Sequence, residues 1–385
     1  MEASLGSGGA ALTVLHLVAN RWWTGSADPV LRLLDGLRRR GHRPLLGVIP
    51  GDRFEAKARE AGFEPLPGLR LTSRLAPLAF ARDVARLRST VRAEQVDVIH
   101  AHHSHDHWLA MLARAGTAVP VVRTFHNLRS VRNGRLDRWL YTRTAALFAV
   151  SRQIEARCRE TGLPASRVVW TPGTVDLPRF APGGDGAAIR EELKLGEAPV
   201  VVSVSRLAAN RGHELLLGAF RLLLATMPDA RLLLVGKGET RARLEQTVAD
   251  MGLGGRVIFT GYRDLDLPDV LAAADCFALM AAGSDDSCRA ALEAMAAARP
   301  VVARRVGALP ETIAHGDTGF LVDEDRPEAV AAALGAVLAD RERAAAMGRA
   351  GRQRVATEFG PDRSVTIVER VYRRILDPPH RRILA

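Results

Sequence analysis

At 385 residues, with 47% hydrophobic composition and 25% charged residues, the chain is long enough to bury two cores of ordinary size, which excludes a disordered or fibrous protein. Three scattered cysteines, Cys158, Cys276 and Cys288, have no pairing or metal-ligand spacing, so a disulfide framework and a structural zinc site are excluded and a reducing cytoplasm fits best. The net charge of +11 is confined to one half: residues 1–184 hold 27 Lys+Arg against 15 Asp+Glu and residues 185–385 hold 27 against 28, which points to an anionic partner or to a solvated arginine-rich face.

The start, MEASLGSGG, carries an acid where a secretory leader is basic, and the apolar run 10–19 is short and broken by His16, so neither leader nor membrane span is expected. LTVLHLVA (12–19) reads as a buried strand, NRWWTGS as a loop with Trp22, Trp23 and Gly25, and Asp28–Pro29 as the start of a helix ending near Arg40 before Gly41. That layout is a nucleotide-fold crossover in which Gly25 permits close backbone approach, although one glycine is no dinucleotide fingerprint. PLLGVI follows as strand and 53–61 as helix. Residues 77–93 form a basic amphipathic helix with Phe80, Val84, Leu87 and Val91 on one stripe, suited to covering a sheet or to lying on a membrane.

The strand 96–100 runs into HAHHSHDHW, five histidines between His100 and His107. Their spacing lacks a helical metal-binding pattern, so hydrogen bonding to substrate or backbone is favoured over a metal. The strand 119–124 ends in Phe125, His126 and Asn127, which places His126 where ligands bind in parallel sheets, unless it is satisfied by backbone. Strands at 147–150 and 168–170 complete a first α/β domain. Three prolines (Pro172, Pro178, Pro182) and four glycines (Gly173, Gly183, Gly184, Gly186) then mark a linker.

The second half repeats the alternation. The strand 200–204 leads into a loop carrying Arg206 and Arg211, five residues apart, where both could hold one anionic ligand or simply be solvated. Strands at 231–235 and 257–260 end in Gly236, Lys237, Gly238 and in Gly261, which allow a nucleotide close to the backbone. The strand 275–280 feeds GSDDSCRAALEAMA (283–296). Here Asp285, Asp286 and Ser287 read as N-cap residues of a helix starting near Cys288, either a capped surface helix or an anion-binding end. A strand at 300–303, the turn HGDTGFLV, helices over 327–359 and a last helix over 362–376 with a basic tail complete the chain.

Taken together, SRL, RG, LLVGKGE, VIFTGY, AAADCFAL, LEAMAAARPVVA, VGALPETI and HGDTGFLV, in that order between Val204 and Val322, resemble the retaining glycosyltransferases of family 4, also called group 1. GLRRRGHRP, VDVIHAHH, VVRTFHN, LFAVSRQI and TVDLPRF extend the resemblance more loosely through the first half. It implies an α/β protein of the GT-B fold, with two Rossmann-like domains facing each other across a cleft. The implied domains are an acceptor-binding domain (1–172), a linker (173–186), a nucleotide-sugar-binding domain (187–361) and a C-terminal helix and tail (362–385) that packs back on the first domain.

The resemblance implies catalytic positions at His126, Arg206, Arg211 and Asp285. Arg206 matches the arginine that binds the diphosphate, and Arg211 stands where lysine is usual. Donor-binding positions follow at Gly25, Gly236, Gly238, Tyr262, Asp286, Ser287, Cys288, Arg289 and Glu293. Glu293 matches the glutamate on the ribose hydroxyls, and Asp285, eight residues earlier, takes the place of a glutamate near the donor sugar. Backbone N–H groups of Ser287, Cys288 and Arg289 are expected to face sugar and phosphate oxygens. The chain departs from the family at Asp285, at Asp286–Ser287 in place of a glycine–aromatic pair, and at Cys288 and Ala298 in place of glycines.

The implied activity is hexosyl transfer from a nucleoside diphosphate sugar to an acceptor hydroxyl of a glycan, glycolipid or small molecule, with retention of configuration and no metal or other cofactor. The arginines would stabilise the departing diphosphate. With no clear carboxylate nucleophile, front-face displacement is favoured over a covalent intermediate. A nucleotide-sugar epimerase or sugar phosphorylase of related fold is the alternative enzyme, and a basic membrane- or nucleic-acid-binding adaptor the alternative of another class. Nucleic acid has no supporting motif. An anionic membrane surface against the basic first half is the partner to test, with the protein cytoplasmic and peripheral to the inner face.

Overall fold

The computed structural model describes residues 10–20, 27–71, 76–283, 285–323 and 325–377. The chain divides into two compact units, one drawn from residues 1–149, 154–171 and 365–385 and the other from 150–153 and 172–364. In chain order the elements are β1 (Thr13–Val18), α1 (Ala27–Arg39), β2 (Arg43–Val48), α2 (Arg53–Glu60), α3 (Pro77–Ala93), β3 (Val98–Ala101), α4 (Ser104–Ala113), β4 (Val121–Phe125), α5 (Arg135–Thr142), β5 (Ala146–Ala149), α6 (Arg152–Glu160) and β6 (Val168–Trp170). They continue with α7 (Gly186–Glu192), β7 (Val200–Val204), α8 (His213–Leu223), β8 (Arg231–Val235), α9 (Arg241–Asp250), β9 (Val257–Gly261), α10 (Leu267–Ala272), β10 (Cys276–Leu279), α11 (Arg289–Ala296), β11 (Val301–Arg304), α12 (Leu309–Thr312), β12 (Gly319–Val322), α13 (Pro327–Leu338), α14 (Arg341–Glu358) and α15 (Pro361–Leu376).

The first unit is built on a parallel sheet of order β2-β1-β3-β4-β5-β6, in register Thr13↔Arg43 and Val14↔Val98. Beyond β2 a single parallel bridge, Leu46↔Pro65, stands where one more strand would lie. The strands are near-continuous apolar runs because helices cover both faces of the sheet. Helix α3 is one such cover. Leu87 and Val91 are buried and Phe80 and Val84 half-buried against Leu109, Ala110 and Ile99, so the stripe that could have met a membrane is spent on the core. Its buried Asp83 accepts from the backbone N–H of Arg70 (2.9 Å) and Leu71 (3.0 Å), fastening the preceding turn.

Helix α15 belongs to this unit from Val365 onward. Val365, Val368, Val371, Tyr372 and Ile375 recur at helical spacing and are buried with Val14, Leu37, Val98 and Phe148. At roughly 1.5–3 kcal/mol of transfer free energy for each large apolar side chain, this face is a major gross contribution to the unit. Glu369 on the same helix accepts from Arg40 (2.9 Å) and Arg373 (3.0 Å) and lies 3.2 Å from His42. Burial opposes its charge, but these donors outweigh burial and hold the carboxyl below its usual range.

The second unit has a parallel sheet of order β12-β11-β10-β7-β8-β9. The proline- and glycine-rich segment read as a linker is packed: Val175 and Phe180 are buried in this unit's core with Ile189, Phe277 and Leu292. Among the described residues no helix is long and apolar enough to cross a membrane.

Candidate functional site

In the second sheet the strand order reverses between β7 and β10, and open parallel sheets bind ligands at the carboxyl ends of strands flanking such a point. The loops that leave those ends carry most of the residues singled out in the sequence. After β7, exposed Arg206 donates from Nε and Nη2 to Glu239 Oε2 at 3.2 and 2.9 Å. Glu239 lies in the loop after β8, and the first two causes holding its carboxyl low are its own backbone N–H and Arg206. Gly236 is at φ +145°, and a Cβ there would lie 2.0 Å from the Ser205 carbonyl oxygen; one at Gly238 would lie 2.1 Å from that of Leu207. The two loops therefore touch backbone to backbone, which only glycine permits. Tyr262, after β9, is half-exposed with Lys237 Nζ 5.2 Å from its ring centroid.

Arg211 reaches the other side of the reversal. A Cβ added at Gly283 would be 3.4 Å from Arg211 Nη1, and one at Gly212 would be 2.5 Å from the Met280 side chain, so the loops after β7 and β10 are closely apposed. Within the loop after β10, Asp285, Asp286, Ser287 and Cys288 are all buried, as is Glu293 on α11. Arg289 Nε pairs with Glu293 Oε1 at 3.1 Å, one helical turn apart.

The capping expectation for this loop is corrected. The residue before the first helical turn is Cys288, in the left-handed region at φ +53°, and its side chain makes no capping hydrogen bond to α11. Asp285 Oδ1 instead accepts from Ser287 N–H (2.8 Å), the Asp285 carbonyl from Cys288 N–H (3.4 Å), and the Asp286 carbonyl from Ala308 N–H (2.7 Å). Two of the three N–H groups expected to face ligand oxygens are thus engaged inside the turn. The Cys288 thiol sits 3.5 Å from the Asp286 carbonyl oxygen, and burial drives its pKa well above the usual thiol range, so it stays protonated and unreactive. Ala298 is also left-handed, at φ +56°. Both departures from family glycines therefore fall where the backbone itself favours glycine.

His126 lies on the first unit, just past β4, and Gly25 with Trp22 and Trp23 lies outside the described residues. Around His126 the structure gathers histidines from β1, β3 and β4. His16 Nδ1 is 3.2 Å from His102 Nε2, and His102 Nδ1 is 3.3 Å from His126 Nε2. His100 is held by Tyr372 Oη (2.5 Å) and Thr124 Oγ1 (2.7 Å). Burial lowers the pKa of His16 to about 3 and, with the neighbouring imidazoles, takes those of His100 and His102 well below the ordinary value, so all three are neutral.

His16, His100 and His102 bring one nitrogen each within 4.8 Å of the others, the distance at which a metal set becomes conceivable. Their rings, however, stack. His100 and His102 are 4.3 Å apart at 20°, and His16 and His102 5.5 Å apart at 18°. Parallel rings do not converge their in-plane lone pairs on one ion, and both His100 nitrogens already face hydroxyls. His16 Nε2 is buried without a partner. An unpaired lone pair there is cheaper than an unpaired N–H, so His16 Nδ1–H donates to His102 and His102 Nδ1–H donates to His126.

Sequence reasoning missed Glu239, His16 and Tyr372 as parts of these edges, together with Arg123, which is buried, donates to Ser104 Oγ (2.9 Å) and lies over the Phe125 ring at 4.2 Å. Glu239 was legible in GKGE beside the glycines. The others depend on strand order and on where α15 returns.

The model for "Glycosyl transferases group 1" matches residues 186–354, and that for "Glycosyltransferase Family 4" matches residues 23–179. The chain is 36% identical to a GDP-mannose-dependent alpha-(1-6)-phosphatidylinositol monomannoside mannosyltransferase of Mycolicibacterium smegmatis, over 72% of this chain and 69% of that one. It is 32% identical to the enzyme of the same description from Mycobacterium tuberculosis, over 84% and 82% of the two chains. Its fold is shared with an Anabaena protein solved in complex with UDP and glucose, at a TM-score of 0.80 and 22% identity, over 94% of this chain and 99% of that one.

Proposed function

The chain belongs to glycosyltransferase family 4, group 1, and uses a nucleotide-sugar donor; from that premise we propose that it transfers mannose from GDP-mannose to a hydroxyl of a lipid-linked acceptor, with retention of anomeric configuration. The observation that supports the donor site is that Arg206 and Arg211 leave the end of β7 at the strand reversal of the second unit, with Arg211 against Gly283 in the loop after β10 and Arg206 on Glu239 after β8. The choice of GDP-mannose and of a lipid-linked acceptor rests on the descriptions of the two mannosyltransferases.

In this reading the diphosphate exchanges Glu239 for itself on Arg206 and takes its second contact from Arg211. Two guanidiniums then meet the charge that grows on the leaving group, where forked hydrogen bonds stabilise the transition state more than the ground state. Glu293 holds the ribose hydroxyls, with Arg289 fixing its carboxylate. Two carboxylates at this edge have structural duties: Asp285 closes its turn onto Ser287 N–H and Glu293 pairs with Arg289. That arrangement favours front-face displacement, with retention and without a glycosyl-enzyme. Because fixed arginines supply the positive charge, the reading assigns no metal. On the acceptor side His126, whose tautomer is set through His102, orients the attacking hydroxyl.

The test is thermal stabilisation by a panel of nucleotide sugars, followed by product analysis. Binding to the native state raises the melting temperature in proportion to RT ln(1 + [L]/Kd). GDP-mannose is expected to give the largest shift and an α-mannosylated product. A larger shift with a uridine diphosphate sugar would remove the donor assignment, and a β-linked product would remove retention.

A further inference from the structure

On α4 and α5 the arginine excess of the first half coincides with exposed apolar surface. On α5, Leu136 is 70% and Trp139 44% exposed, one turn apart on the outward face, while Leu140 and Tyr141 anchor the helix inward. Trp139 stacks on Trp108 of α4 with centroids 6.0 Å apart at 10°, and Leu112, one turn beyond Trp108, is 42% exposed. The result is a raised apolar platform spanning two helices.

Its rim is cationic. Arg132, Arg135, Arg138 and Arg143 are all exposed, and Arg143 lies 4.4 Å over the Trp139 ring. Among the described residues none of the four is paired with a carboxylate. Asp137 is the one acid between Arg129 and Arg143, and the segment begins three residues after His126. We propose that the α4–α5 platform, with Leu136 and Trp139 at its centre and the arginines around it, docks the protein on an anionic lipid bilayer.

The combination of residue types selects this occupant. Nucleic acid would account for the arginines through its phosphates and could stack a base on Trp139 but would leave Leu136 without a role, whereas a lipid interface takes up a leucine below the headgroups, a tryptophan at their level and arginines against their charge. A second copy of this chain would bring like-charged rims together. The inference rests on the lipid-linked acceptor proposed above, and it places the acceptor-side edge next to the surface that holds such an acceptor.

Co-sedimentation of the full chain with sucrose-loaded vesicles tests it, with no donor or acceptor present. Binding is expected to vesicles of phosphatidylcholine mixed with phosphatidylinositol, to weaken as salt is raised, and to be slight with phosphatidylcholine alone. Arg135→Glu with Arg138→Glu, and separately Leu136→Glu with Trp139→Ala, should each weaken binding by about tenfold or more. Leu265→Asp, on the second unit and 92% exposed, should leave it unchanged. All variants should keep the melting temperature of the parent. Absence of binding at low salt, undiminished binding by the Leu136/Trp139 variant, displacement of vesicles by an oligonucleotide that itself requires Trp139, or a dimer that the same variant dissolves would each overturn the proposal. Because nothing in this assay turns over, its outcome is independent of the GDP-mannose shift that tests the donor.

Discussion

The two units are variations on one frame that differ in what they place at the point of strand reversal. In the second, the six strands run in the order β9-β8-β7-β10-β11-β12, the doubly wound arrangement without embellishment. In the first, the corresponding outer strand has shrunk to the bridge at Pro65 and a further strand has been added at the other edge. At the reversal the second unit sets arginines, glycines and carboxylates on touching loops. The first sets a buried stack of neutral imidazoles. Fixed charge suits holding a diphosphate, whereas neutral imidazoles suit orienting a hydroxyl without attracting anions.

The largest expected effect is on acid stability, and it should arise in the first unit. His16, His100, His102 and His107 are neutral when folded because burial depresses their pKa, whereas in the unfolded chain they titrate near 6.5. Their contribution is therefore complete above pH 6.5 and is lost as the pH falls toward the folded values, at up to about 1.4 kcal/mol per pH unit for each group. Asp106, whose burial raises its carboxyl to about 7, acts in the opposite sense between its ordinary value and 7 by retaining a proton that the unfolded chain gives up. Urea unfolding at pH 7.5, 6.5 and 5.5 should show a net loss that is steepest across the last interval, with a ceiling of about 3 kcal/mol once Asp106 is set against the four histidines. A flat profile would mean that the stack accepts protons readily, which erases the contrast with the charged edge.

Next comes catalysis at the second edge. Removing one preorganised donor to a developing anion typically costs a factor of about 10²–10³ in kcat. Arg206→Ala and Arg211→Ala are expected in that range with saturating donor. Arg206 is largely exposed and its single bridge to Glu239 is a surface pair, so its loss should scarcely change the melting temperature. Near-normal turnover by both variants would detach this edge from the diphosphate.

What the sequence made legible follows from which interactions are local. The strand runs at 200–204, 231–235 and 300–303, the glycines after the first strands and a helix starting near Cys288 are encoded in short windows, and the structure has them within a residue or two, with β11 at Val301–Arg304 and α11 from Arg289. The cap of α11 was not legible, because acidic residues before a helix can cap it or close a turn. Here Cys288 at positive φ turned Asp285 back onto Ser287 N–H. The histidines of HAHHSHDHW were visible, but their stack was not, since it depends on β1 and β3 being neighbours and on α15 returning from the far end of the chain to bring Tyr372 to His100.

That long-range contact supplies a smaller effect. Tyr372→Phe keeps the ring among Val14, Val98 and Phe148 and removes only the hydroxyl at His100, which should cost about 1–2 kcal/mol by leaving a buried imidazole nitrogen unpaired. Transfer activity should be retained if the stack acts on His126 through His102 alone. A loss of kcat at unchanged stability would instead extend the positioning chain to His100.

The smallest effect concerns the strained backbone beside the donor edge. Cys288 and Ala298 each hold a left-handed conformation that disfavours a Cβ by roughly 1–2 kcal/mol. Ala298 is half-buried and its methyl makes little of the core, so Ala298→Gly should release most of that strain and raise stability by about 1 kcal/mol, a shift of a few degrees in melting temperature. Cys288 differs because its side chain is buried with its sulfur among the carbonyls of Ala282, Asp286 and Val306, so Cys288→Gly relieves strain but empties a packed site. The two substitutions should therefore diverge, Ala298→Gly stabilising and Cys288→Gly close to neutral. Equal stabilisation by both would show that the Cys288 side chain contributes nothing to holding the 283–289 loop, and that the turn is set by Asp285 and the Asp286–Ala308 hydrogen bond alone.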